Sequence, residues 1–126
     1  MLEYHKMTEE EKYCIARWKY PGEYAIYNSL SYEEQKKRGF GFANPENHLY
    51  SFYDGKELVG FINLNGEDPG VFFGIGVNPD CCGKGYGQQM TRTAWEISQT
   101  LFPGKPMYLE VRTWNQRAIR CYDCLL

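Results

Sequence analysis

Beyond Gly87 the apolar residues Met90, Ala94, Ile97 and Leu101 recur at near-helical intervals, while Arg92, Glu96 and Gln99 lie off that line. The spacing predicts a helix with one apolar face, stopped by Pro103 and Gly104. Upstream, segments 49–53 and 57–64 predict a hairpin closed across Asp54-Gly55. Asp68-Pro69-Gly70 then turns into a strand ending at Val77, and a last strand is expected over 107–112. At the start, Thr8-Glu9-Glu10-Glu11 forms a capping box for a helix that runs towards Trp18 and is broken by Pro21-Gly22. A second helical stretch is expected over 23–37, interrupted near Ser29 to Ser31. With no internal repeat, low-complexity segment or linker, residues 1–126 read as one domain.

The junction between the strand ending at Val77 and the helix is the most informative part of the chain. It reads Val-Asn-Pro-Asp-Cys-Cys-Gly-Lys-Gly-Tyr-Gly, so a turn holding Gly83, Gly85 and Gly87 opens directly into the helical segment. Glycines admit positive φ and bring backbone N–H groups close to a ligand, and a helix start adds unpaired amides and a positive dipole end. The arrangement is that of an anion cradle, with a pyrophosphate as its natural occupant. Lys84 is followed by Gly85 where a P-loop requires Ser or Thr, and Gln88 follows Gly87 where a Rossmann turn requires spacing to a third glycine. Nucleotide hydrolysis and hydride transfer are therefore disfavoured; a glycine-rich connection without a ligand stays open as the plain alternative.

A second constellation follows the strand over 107–112. Asn115 sits at a plausible N-cap, and Asn115 and Tyr122 lie two turns apart on one helical face, with Ala118 and Ile119 between them. Taken together, Cys82-Gly83-Lys84-Gly85-Tyr86-Gly87 and the later Asn, Ala-Ile and Tyr pattern resemble the GNAT superfamily of acetyl-coenzyme A dependent N-acetyltransferases. That family's phosphate loop has the form Q/R-x-x-G-x-G/A. The resemblance is specific from about Val71 to Tyr122, and Leu109-Glu110-Val111-Arg112 is most similar to the branch that acetylates protein N-termini. It implies an α/β (α+β) fold with a mixed, mostly antiparallel central sheet flanked by helices.

The resemblance also implies roles for individual residues. Val77, Cys82, Gly83, Lys84, Gly85, Tyr86, Gly87 and Asn115 would hold acetyl-coenzyme A, Glu110 would act as base and Tyr122 as general acid, with no metal. Each has a plain alternative: a solvent-facing strand glutamate for Glu110, a core tyrosine for Tyr122, a simple helix cap for Asn115. Two departures from the family pattern stand out. Cys82 replaces the usual Arg or Gln at the head of the loop, and the chain ends at Leu126 where the family continues through two further strands. The fold is therefore expected to lack the last two strands, and a homodimer is expected to cover the strand near Leu109, because an open apolar edge invites pairing. The acceptor is expected to be a small amine or a peptide N-terminus. A coenzyme A binding domain with little or no transfer, and a structural domain that binds nothing, are the competing readings.

Composition narrows the partners. The formal net charge of −2 gives no nucleic-acid footprint. The chain contains no apolar run of the roughly 18 residues a membrane span needs, and its start lacks a signal-peptide core, so a soluble cytoplasmic protein is expected. Five cysteines, an odd count, favour reduced thiols. Cys121 and Cys124 form a lone C-x-x-C that reads as ordinary helix residues or a metal or redox pair, and Cys82 is placed to form a disulfide with coenzyme A. Trp18, Tyr20, Tyr24, Tyr27 and Tyr32 suit either an acceptor pocket or packing against the sheet.

Overall fold

Thr8 begins the first helix as its sequence predicts. Its side chain accepts from the Glu11 N–H, and the Glu11 carboxylate accepts from the Thr8 N–H, closing a capping box. A computed structural model describes residues 2–19, 30–67, 70–81 and 83–108. In chain order these form β1 (Glu3–Lys6), α1 (Glu9–Ala16), α2 (Tyr32–Arg38), β2 (His48–Asp54), β3 (Glu57–Glu67), β4 (Gly70–Val77), α3 (Tyr86–Leu101) and β5 (Met107–Tyr108), with 3-10 turns at Gly41–Ala43 and Pro79–Cys81.

The five strands pair in sequence order. The first three contacts are antiparallel and β4 pairs with β5 in parallel, through Val71 with Met107 and Phe72 with Tyr108. The α/β fold with a mixed, mostly antiparallel sheet is as the sequence implies. The parallel pair requires a crossover, which α3 supplies.

Alternation along the strands divides the core in two. Phe52, Ile62, Leu64, Val71 and Phe73 are buried with Met90, Ala94 and Ile97 of α3 on one face. On the other, Met7, Ile15, Ala16, Tyr32 and Phe42 pack with Leu49, Leu58 and Phe61. Each large buried side chain contributes on the order of 2 kcal/mol. A bulge between Phe52 and Tyr53 shifts the register, so that Phe52 faces Gly60 while Tyr53 faces Leu58. The extra residue is Val59, which is fully buried on the α3 side, and its carbonyl accepts from the Asn78 N–H at 2.8 Å.

Several boundaries differ from expectation. β1 has no apolar pattern because all four residues are exposed at the edge of the sheet, and nothing in its sequence announced it. α1 ends at Ala16 rather than near Trp18, and β2 and β3 extend beyond the predicted hairpin. Leu101 is 37% exposed, so the apolar face of α3 is completed instead by Thr91 and Ser98. Helix α2 begins at Tyr32, capped by Ser31; the earlier part of the expected second helix, Tyr20, Tyr24 and Tyr27 lie outside the described residues, as does the strand near Leu109 that was expected to need covering.

Glu11 fastens α1 to the sheet. It is only 7% exposed, and its carboxylate accepts from Ser51 Oγ (2.9 Å), His5 Nε2 (2.9 Å), the Thr8 N–H (2.8 Å) and the Tyr53 hydroxyl. Burial alone would raise its pKa, but these donors outweigh it and lower the value to about 2. Because the folded value lies below the unfolded one, the stabilisation is complete above about pH 4.5 and is lost as pH falls towards 2, an effect of roughly 3 kcal/mol. Urea unfolding of Glu11→Gln is therefore expected to show a loss of roughly 2–3 kcal/mol at pH 7 and a shallower fall in stability between about pH 5 and pH 2 than the parent chain. An unchanged pH slope would remove Glu11 from this role.

Candidate functional site

The turn from β4 into α3 is built from backbone rather than from side chains. Gly83 and Gly85 adopt φ of 83° and 81°, in the left-handed region that other residues enter with strain. Apart from the adjoining residues of the chain, no heavy atom lies within 4 Å of where a Cβ at either position would stand, so they are glycines for conformation, and the space beside them is open.

Helix α3 then starts differently from the other two. α1 is capped by Thr8 and α2 by Ser31, and both carry acidic residues in the first turn. α3 starts from Gly85 in a left-handed conformation, with no side-chain cap bond and no acidic residue in its first turn. The N-cap thus offers its leading amides, on Tyr86, Gly87 and Gln88, no side-chain acceptor of the kind Thr8 and Ser31 provide. Over sixteen residues the aligned peptide dipoles place a partial positive charge at the same end. Exposed Lys84 adds a full one. Together these groups can hold an anion with more than one phosphate oxygen.

The loop is tied at both flanks. The Tyr86 hydroxyl donates to Asp54 Oδ2 at 2.7 Å, and the Cys81 thiol donates to Glu57 Oε1 at 2.7 Å. The bond to Asp54, followed by desolvation, pushes the Tyr86 phenol up to about 12. Burial, followed by the bond to Glu57, pushes the Cys81 thiol up to about 11, so both donors hold their protons at neutral pH. Sequence reasoning missed Asp54, Glu57 and Cys81. Cys81 precedes the loop in the chain, whereas Asp54 and Glu57 become its neighbours because the β2–β3 turn lies at the end of β4.

Of the residues singled out from sequence, Val77, Gly83, Lys84, Gly85, Tyr86 and Gly87 come together at this junction. Val77 closes β4 opposite Gly60. Cys82, Glu110, Asn115 and Tyr122 lie outside the described residues, as do Cys121 and Cys124. Among the described residues no group of three or more His, Cys, Asp or Glu could hold a metal ion, and no helix is long and apolar enough to cross a membrane. Cys14 and Cys81 are free thiols.

The aromatic residues on the other face serve the core. Trp18 lies 6.3 Å from Phe61, and buried Tyr32 meets Tyr13 edge to face at 4.8 Å while donating to Glu9. Tyr32 also borders a cleft of about 630 Å3 that Lys6, Lys12 and Lys36 line with it. Lys12 and Lys36 are matched by Glu9 at 3.2 Å and Glu33 at 3.5 Å, which leaves the cleft little net charge beyond that of Lys6.

Residues 9–125 match the sequence profile described as the acetyltransferase (GNAT) family. The chain belongs to that family. Membership makes it an acyltransferase, of the class that moves acetyl to an amine. Solved GNAT structures share the fold. Spermidine N-acetyltransferase from Vibrio cholerae in complex with CoA and spermine superposes with a TM-score of 0.73 at 19% identity, covering 97% of this chain and 78% of that one. A chimera of the Vibrio cholerae enzyme and hSSAT gives 0.76 at 20%, over 97% and 77% of the two chains. The ribosomal-protein-S18-alanine N-acetyltransferase from Escherichia coli gives 0.72 at 18%, over 99% and 76%. A search among curated proteins returned no match.

The left-handed start of α3 makes a specific prediction. Gly85→Ala should lower the unfolding free energy by about 1 kcal/mol, and Gly85→Asn by less, since asparagine tolerates this backbone region better. Equal stability of the parent chain and Gly85→Ala in chemical denaturation would show that position 85 does not need positive φ.

Proposed function

We propose that the chain transfers the acetyl group of acetyl-coenzyme A to a primary amine, a small molecule or a peptide N-terminus, by direct attack through a tetrahedral intermediate. The observation that carries the reading is the start of α3: a helix with no side-chain cap, entered through two left-handed glycines at the end of β4. Its leading amides and Lys84 take the donor's pyrophosphate. The backbone of Val77 pairs with the pantetheine arm and polarises the thioester carbonyl, and Asn115 binds the arm or orders the site. Cys82 replaces the family's long polar side chain at the head of the loop, so phosphate binding here falls to backbone amides.

An ammonium has no lone pair, so the acceptor first loses a proton, to Glu110 directly or through a water. Attack on the carbonyl carbon forms the nitrogen–carbon bond and places negative charge on oxygen. Collapse breaks the carbon–sulfur bond. Tyr122 gives its proton to the departing sulfur and regains one as the nitrogen, now bonded to the acetyl carbon, sheds its extra proton; this is feasible because a phenol with a pKa of about 10 is protonated at neutral pH and a thiol of about 8.5 accepts charge. A homodimer covering the strand that begins at Met107, and a cytoplasmic location, belong to the same reading.

Calorimetric titration of reduced protein with acetyl-coenzyme A is expected to give saturable one-to-one binding. Gly87→Ala should raise helix propensity by up to about 1 kcal/mol yet weaken that binding roughly tenfold by closing the backbone approach. Tyr122→Phe should leave the dissociation constant nearly unchanged while slowing transfer to responsive amines in a panel that includes spermidine and an alanyl peptide. Absence of binding at millimolar donor would overturn the proposal; binding without transfer to any amine would reduce it to a coenzyme A binding domain.

A further inference from the structure

We propose that Asp54 and Glu57, the two residues that close the β2–β3 turn, are positioning residues for the donor-binding loop, holding its flanks so that its amides are set before the donor arrives. The inference rests on the acetyl-coenzyme A reading of that loop. Residues 83–85 carry two left-handed glycines with open space beside them, so these positions have no side chains that could fix the backbone apart from exposed Lys84. What fixes it is outside. Before the loop, Cys81 donates to Glu57 at 2.7 Å, and after it Tyr86 donates to Asp54 at 2.7 Å. Asn78 adds a second tie, donating from its side chain to the Leu58 carbonyl at 3.0 Å and from its backbone to Val59 at 2.8 Å. One short hairpin end thus grips both ends of the glycine segment.

The choice of acids is informative. Two carboxylates next to an anion site oppose the anion, so their presence calls for a compensating role. Each accepts from a neutral donor whose proton is retained at neutral pH, and hydrogen bonds to an ionised acceptor are stronger than neutral ones. Lys84, lying between the two ties in sequence, returns a positive charge to the loop. The β3–β4 ladder, paired from Gly60 with Val77 to Glu67 with Gly70, holds the sheet without these bonds. Their effect therefore falls on the loop, where ordering a flexible segment in advance removes a cost from binding.

Trypsin gives the test, because Lys84 lies in the loop and Arg92 lies inside α3. Cleavage after Lys84, followed by mass spectrometry in the ligand-free full chain and referred to cleavage after Arg92, reads loop order apart from global unfolding. Asp54→Ala and Tyr86→Phe are each expected to raise that ratio roughly three- to tenfold, as loss of one net hydrogen bond would. The double variant should add nothing, and Asp54→Asn, which keeps an acceptor oxygen, should stay near the parent. Glu57→Gln should likewise act less than Glu57→Ala. The dissociation constant for coenzyme A is expected to rise by a similar factor in the same variants. Unchanged ratios in Asp54→Ala and Tyr86→Phe, or equal acceleration at Lys84 and Arg92, would overturn the positioning role. A parent chain that binds no coenzyme A would instead overturn the donor reading, while the cleavage ratios would still decide whether the hairpin orders the loop.

Discussion

A chain leaving Val77 at the end of β4 must reverse and start a sixteen-residue helix whose apolar face lands back on the sheet. Two left-handed residues achieve the reversal, and only glycine does this without strain. Everything at this end of the molecule depends on that constraint. It sets the direction of α3, seats Met90, Ala94 and Ile97 against Phe52, Ile62 and Phe73, and carries the chain to the parallel pairing of β4 with β5. The same constraint puts a glycine at the N-cap, where a serine or threonine would have consumed an amide. The conformational need and the binding capacity have one origin.

The opposite face is held by a different kind of interaction. There a single carboxylate, Glu11, gathers donors from β1, the N-cap and β2, so polar groups as well as the buried Ile15 and Ala16 define where α1 sits. A buried charge with this many partners tolerates little displacement, since losing one donor leaves the others to bear the desolvation. The sheet is thus faced on one side by an apolar helix interface and on the other by a small apolar cluster with a polar peg.

The sequence made the β2–β3 hairpin, the capping box and α3 legible because each is specified by local chemistry: turn residues, a cap, a helical period. The glycine loop was legible for the same reason, although of its three glycines Gly83 and Gly85 take positive φ while Gly87 lies inside α3. β1 was not, because a wholly exposed edge strand carries no alternation and is fixed by pairing with β2. Leu101 misled because the period continued one turn past the part of the helix that meets the sheet, leaving Ser98 as the last fully buried residue. Asp54 and Glu57 could not be read as neighbours of Cys81 and Tyr86, since nothing local marks that pairing; the hairpin register brings the β2–β3 turn to the loop. The residues most tied to chemistry by family resemblance, Glu110, Asn115 and Tyr122, rest on sequence, whereas the left-handed glycines and the helix start without a side-chain cap stand on sequence and structure together.

Cys81 bears on chemical selectivity. Thioesters acylate thiolates faster than amines, so a reactive sulfur beside a donor site would capture the acyl group meant for another molecule. With its thiol 1% exposed, pushed up to about 11 and donating to Glu57, Cys81 stays protonated at pH 7. Burial first, and the bond to Glu57 after it, keep this sulfur a thiol, so acylation at that position is disfavoured.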